Sequence, residues 1–148
     1  MRQIVTTDEA PRADNIYSQA VIAGGLIFVA GQVPLTPAGK MIDGSTAEKV
    51  ACIMANIKAI LQAAGASLSD VVKASVFVTD MAQMPELNAV YPTYFTQPNP
   101  AREAVCVKDL PLGATIEISV IAAQPKFTST ARDSVKESTN DNDHYIQL

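Results

Sequence analysis

The chain has 148 residues but only one histidine and two cysteines. The histidine, His144, stands near the end of the sequence, so the body of the chain offers no imidazole base for a serine nucleophile. Cys52 and Cys106 are too far apart to begin a zinc ligand set and too few for a disulfide framework. Each lies in an apolar run, and a small buried side chain is expected at both. No glycine-rich loop of the Walker or dinucleotide type occurs. Positive charge is scarce as well: Lys and Arg number 11 against 15 Asp and Glu, a net charge of −4, with no dense basic run. Neutralising a nucleic-acid backbone needs clustered cations, so no nucleic-acid partner is expected. No apolar run reaches the length of a membrane span, and no membrane partner is expected either. Asp8, Glu9, Pro11 and Arg12 stand where a secretory signal needs its apolar segment. The expected location is cytoplasmic, with a mitochondrial form left open. Neither a metal nor a cofactor is expected. What remains is acid–base chemistry by carboxylates, arginine and backbone donors, acting on small molecules.

Apolar residues make up 48% of the sequence and charged ones 18%, enough for one domain with a sizeable core. That domain is expected over residues 1–125. Beyond Pro125, Ser, Thr, Asp, Asn and Lys dominate, and a flexible polar tail is expected over 126–148. Within the domain, apolar runs at 20–23 and 26–29 flank Gly24-Gly25, the pattern of a β-hairpin. Residues 31–37 contain Pro34 and Pro37 and are expected to be irregular. Ser45 and Glu48 have capping-box spacing and Gly65 is a stop signal. Between them Val50, Ile53, Met54, Ile57, Ile60 and Leu61 recur at helical spacing, with Glu48, Lys49, Asn56, Lys58 and Gln62 on the polar side. Strands are predicted over 71–79, 101–107 and 114–123. A second helix follows Asp80, its apolar face running through Leu87, Val90, Tyr91, Tyr94 and Phe95. Pro92 should kink it and free the carbonyl of Asn88. The fold class is α+β in the order β-β-α-β-α-β-β, with both helices on one sheet face.

Two charges stand in unusual places. Arg102 opens a strand directly after Asn99-Pro100-Ala101. Glu117 interrupts an otherwise apolar strand and shares a face with Thr115, Ser119 and Ile121 by strand parity. A structural ion pair or a solvent-facing position is one reading of such charges, and a functional site is the other.

A series of short motifs bears on that choice. Ala10-Pro11 is followed by Tyr17-Ser18-Gln19-Ala20 and Phe28-Val29-Ala30-Gly31-Gln32-Val33-Pro34-Leu35. Asn56-Ile57-Lys58-Ala59-Ile60-Leu61, Ala63-Ala64-Gly65, Val71-Val72-Lys73 and Val76-Phe77-Val78-Thr79-Asp80-Met81 come next. Asn88-Ala89-Val90-Tyr91, Tyr94-Phe95, Pro100-Ala101-Arg102, Leu110-Pro111 and Ile116-Glu117-Ile118 close the series. In order and spacing these motifs resemble the RidA/YjgF family of reactive-intermediate imine deaminases. The resemblance implies a chorismate-mutase-like fold, with two helices on one face of a mixed sheet, and a homotrimer with clefts between subunits. It also implies cofactor-free hydrolysis of small-molecule 2-imino or enamino acids to 2-keto acids and ammonia. By the same resemblance Arg102 would clamp the substrate carboxylate with its bidentate fork, and Glu117 would position and activate water. Tyr17 would line the cleft, Gly31 would let the backbone approach the ligand, and Asn88 would stand nearby.

The sequence departs from the family beside this presumed cleft. Asn15-Ile16 replaces a Gly-Pro, Ala30 a small hydroxyl residue, Ala104 a cysteine and Ser119 a second carboxylate. Ala30 and Ala104 are counted with the substrate-binding positions. Cys106 shares a strand face with Ala104 but is not given the missing cysteine's role. The lost polar groups imply a roomier, less polar pocket and a bulkier substrate; neutral drift at lining positions is the other reading. A non-catalytic trimer that binds small carboxylates, and an endoribonuclease or translation inhibitor, are competing functions.

Overall fold

The computed structural model describes residues 1–125; the tail expected over 126–148, with His144, lies outside the described residues. Gly24 and Gly25 have φ of 60° and 78°, the left-handed values a tight hairpin turn requires. They join β2 (Ala20–Ala23) to β3 (Leu26–Gln32), with Ala20 opposite Val29 and Ala23 opposite Leu26. A further strand, β1 (Gln3–Val5), pairs antiparallel with the other side of β2. The order expected from sequence lacks this strand, because so short a segment shows no period and is defined only by its partner. The chain therefore runs β-β-β-α-β-α-β-β.

Helix α1 (Thr46–Ala63) starts as its sequence requires. Ser45 Oγ accepts from the Glu48 amide at 3.1 Å, and Glu48 Oε2 accepts from the Ser45 amide at 3.3 Å. Gly65, with φ 78°, ends it. Val50, Ile53, Ile57, Ile60 and Leu61 are fully buried, each contributing about 1.5–3 kcal/mol. Asn56 departs from its expected place on the polar side. It is buried, and its Nδ2 donates to the Leu35 carbonyl at 2.8 Å. A buried amide needs such a partner, and this one ties the segment after β3 to the helix.

β4 (Val71–Val78), α2 (Met84–Val90), β5 (Ala101–Cys106) and β6 (Ile116–Ala123) complete the fold. The six strands form one mixed sheet in the order β1-β2-β3-β6-β4-β5, in which β4 and β5 run parallel. Asp80 Oδ1 accepts from the Ala82 amide at 2.9 Å and caps the short 3₁₀ turn leading into α2. Pro92 ends α2 rather than kinking it, and the chain tightens into a 3₁₀ turn over Tyr91–Tyr94.

Alternation along β6 is regular. Ile116, Ile118, Val120 and Ala122 are buried, while Glu117, Ser119, Ile121 and Ala123 lie half-buried on the face away from the helices. Phe28, the third residue of β3, is exposed on that same face, opposite Ile121. Edge strand β5 is exposed except at Ala104. Cys106 is therefore exposed and Cys52 only half-buried, against the expectation of two buried thiols. Among the described residues no strand pairs with the edge on which Cys106 stands.

Candidate active site

Strand β3 does not pair evenly to its end. Its register with β6 shifts between Val29, opposite Val120, and Gln32, opposite Ile118. Ala30 and Gly31 together oppose one residue, a β-bulge inside the strand, where the sequence suggests irregular chain from residue 31. Gly31 comes so close to β6 that a β-carbon on it would lie 2.8 Å from Cδ and 3.0 Å from Oε1 of Glu117. The glycine makes room for the Glu117 side chain, whereas the resemblance implies room for a ligand. Among the described residues the Glu117 carboxylate has no hydrogen-bond or ion-pair partner, and burial pushes its pKa up from the ordinary value.

Tyr17, Ala30, Gly31 and Glu117 line one cavity of about 280 Å³, whose walls include Val33, Leu35 and Leu112. The Tyr17 side is fixed by Gln19, which is buried. Gln19 Oε1 accepts from the Thr7 amide at 2.7 Å, and its Nε2 reaches the carbonyls of Thr7, Ala10 and Pro11 at 3.0, 3.2 and 2.9 Å. Its own carbonyl accepts from the Ala30 amide at 2.9 Å, so one residue ties the N-terminal segment to the bulge. Gln32, also buried, donates from Nε2 to the Ala30 carbonyl at 3.1 Å. Sequence reasoning overlooks both glutamines as builders of the site. The available signal is an amide inside an apolar segment, which must be buried with partners.

Arg102 stands elsewhere. It pairs with Ala74 across β4–β5, while Glu117 pairs with Phe77 across β4–β6. Ala74 is buried on the helix side, and Phe77, an odd number of residues further along β4, points the other way. Paired residues share a face, so Arg102 and Glu117 are on opposite faces of the sheet. Their strands are separated by two spacings, about 10 Å. Arg102 turns to α2: its Nη1 donates to Asn88 Oδ1 at 2.8 Å, and its guanidinium sits 4.9 Å from the centre of the Tyr91 ring. Tyr91 in turn packs on Phe95 with ring centres 5.0 Å apart. Ala104 follows Arg102 on the same strand face, half-buried against the core. Asn88 contributes its side chain, not the carbonyl that Pro92 is expected to free. The structure thus gathers Tyr17, Ala30, Gly31 and Glu117 in one place and Arg102, Asn88 and Ala104 in another, and one chain does not unite them.

The Tyr91 hydroxyl is buried without a hydrogen-bond partner among the described residues, and burial raises its pKa. Leaving a buried hydroxyl unsatisfied is unfavourable. Tyr91→Phe, which keeps the ring under Arg102, is therefore expected to unfold at the same temperature as the parent or higher, as a thermal melt would show.

Among the described residues no three His, Cys, Asp or Glu side chains gather as a metal site, and no helix is long and apolar enough to cross a membrane.

A family profile described as Endoribonuclease L-PSP matches residues 7–124. A RutC family protein of Pyrococcus horikoshii is 43% identical over 123 residues, covering 82% of this chain and 98% of its own. A rat protein named 2-iminobutanoate/2-iminopropanoate deaminase is 39% identical over 130 residues, 87% of this chain and 95% of its own. The crystal structure of RidA from an Antarctic Psychrobacter superposes with a TM-score of 0.78 at 40% identity, over 82% of this chain and 98% of that one.

Proposed function

This chain belongs to the RidA/YjgF family, and from that membership we propose that it hydrolyses 2-imino and enamino acids to 2-keto acids and ammonia, without a cofactor, as a homotrimer. Its chorismate-mutase-like α+β fold is the family's. The observation that carries the reading is the divided site. Among the described residues a half-buried carboxylate without a partner lies in a mostly apolar cleft, and an exposed guanidinium held by Asn88 and Tyr91 lies at an unpaired sheet edge. A cleft between subunits, in which the Arg102 half of one meets the Glu117 half of the next, unites them. The sheet face without helices, where Phe28 is exposed, gives such an assembly apolar surface to bury.

In that cleft Arg102 takes the substrate carboxylate through two parallel hydrogen bonds. An enamine first tautomerises to the imine, whose carbon is electrophilic. Ionised Glu117 accepts a proton from a water as the water oxygen bonds to that carbon, and the C=N electron pair moves to nitrogen, which takes that proton from Glu117. Glu117 then accepts the hydroxyl proton of the carbinolamine and passes it to the amine nitrogen, so that the C–N bond breaks, ammonia leaves and the C=O bond forms. Proton transfer of this kind contributes about 10²–10⁴-fold, and holding water beside an anchored carboxylate adds an orientation effect. Tyr17 and Ala30 border the reacting groups on one side and Ala104 on the other. Short side chains at Ala30, Ala104 and Ser119 favour a substrate bulkier than the smallest 2-imino acid.

The shared site is tested by subunit mixing. Arg102→Ala and Glu117→Gln are each expected to be inactive alone. Refolded together at equal concentrations, they are expected to recover roughly a quarter of wild-type activity, because random assembly pairs two intact halves at one site in four. The assay generates 2-iminopropanoate with an amino-acid oxidase and traps what remains with semicarbazide. Mixed trimers without recovery would reject the shared site, as would a stable monomer in equilibrium sedimentation. Saturable 2-keto acid binding without imine turnover would instead make the protein a carboxylate-binding trimer. The description of the matching family favours RNA cleavage as a second reading, against which stands the net charge of −4. RNA cleavage that is lost in Arg102→Ala and falls steeply with salt would establish it.

A further inference from the structure

Leu112 has both its backbone and its side chain in unfavourable places. Its φ of 59° is the one positive value among the described residues other than glycine, a conformation that crowds a β-carbon against the carbonyl. The residue is 71% exposed, so burial among the described residues offsets little of that cost. Its neighbours accommodate the conformation. Pro111 restricts the turn before it, and Gly113, with φ 71°, takes the next left-handed step freely. The Ala114 amide closes the turn on the Pro111 carbonyl at 3.1 Å. Leu112 is thereby held at the open rim of the cavity that contains Glu117.

Resting on the deaminase reading, we infer that Leu112 is the specificity-determining residue of this site, completing with Val33 and Leu35 an apolar wall that receives a large apolar side chain on the 2-imino acid. Such a side chain removes Leu112 from water when it arrives, so a contact absent in the free protein forms only with the right substrate. In the single chain the cavity measures about 280 Å³, and in the proposed assembly the neighbouring subunit borders the same space. A branched or aromatic side chain there covers the apolar wall and removes it from water. A charged one meets a wall with no partner for it.

Leu112→Gly and Leu112→Asn both suit a left-handed backbone and test the inference without disturbing the turn. Two ratios are read in the assembled protein: kcat/KM for the leucine-derived imine over the alanine-derived imine, and calorimetric affinity for 4-methyl-2-oxopentanoate over pyruvate. Both ratios are expected to fall about 10-fold or more in both variants, the leucine-derived imine losing more than the alanine-derived one. Equal losses on large and small substrates, unchanged ratios, or dissociation of the assembly would overturn the assignment. So would a wild-type protein that binds the two keto acids equally or binds neither. Turnover and binding fail separately: a protein idle on every imine removes the deaminase reading, while the keto-acid ratio still decides the role of Leu112.

Discussion

Glu117→Gln is expected to lower kcat about 10²–10⁴-fold on every 2-imino acid, with no loss of thermal stability. Glutamine has the shape of glutamate and fills the same space beside Gly31, but it cannot accept the proton that water must lose. The absence of a stability penalty follows from the direction of the Glu117 pKa. Burial raises it, so the fold favours the neutral acid. For a group whose folded pKa lies above its unfolded one, the stabilisation is present at low pH and is lost as pH rises through the folded value. Above the folded value the parent carries an ionised carboxylate that the fold disfavours, and a neutral amide removes that penalty. The kinetic sign is the reverse. The ionised form is the base, so kcat/KM is expected to fall on the acid side with a midpoint above that of an ordinary carboxylate. This acid limb is expected to vanish in Glu117→Gln. Rate profiles against pH for both proteins, with thermal melts at neutral pH, check the two signs together. A variant that keeps most of its activity would move water activation to another group.

Gly31→Ala is expected to lower kcat about 100-fold while the protein folds and assembles as before. The added methyl would lie 2.8 Å from Cδ and 3.0 Å from Oε1 of Glu117. Those atoms are the far end of a flexible side chain, so the carboxylate moves and the backbone need not. A displacement of about 1 Å at a reacting group is enough for a loss of this size. Gly31 is not among the glycines at positive φ, so alanine meets no backbone strain there and slightly narrows the unfolded ensemble. The two substitutions act on one group. Gly31→Ala/Glu117→Gln is accordingly expected to be no slower than Glu117→Gln alone, a non-additivity that independent effects would not show. An active Gly31→Ala would mean that the close approach at the bulge has no part in placing the base.

What the sequence by itself determined is local. The Gly24-Gly25 turn, the Ser45–Glu48 capping box, the stop at Gly65 and the apolar stripe of α1 all depend on residues a few positions apart, and each is where the sequence puts it. The parity that sets Glu117, Ser119 and Ile121 on one face of β6 is equally local. Strand β1 was not legible, nor was the burial of Asn56, because each depends on a partner far away in sequence. Arg102, Asn88 and Glu117 could be chosen from their motifs, but no motif says on which side of a sheet they stand. The order β3-β6-β4-β5 and its registers decided that, placing Arg102 over α2 and Glu117 on the opposite face. The bulge at Ala30 and Gly31 arises in the same way. It is a mismatch between two strands separated by most of the chain, and neither strand alone contains the information that Gly31 will meet Glu117. Periodicity fixes which residues share a face, whereas long-range pairing fixes which faces meet, and the candidate site depends on the second.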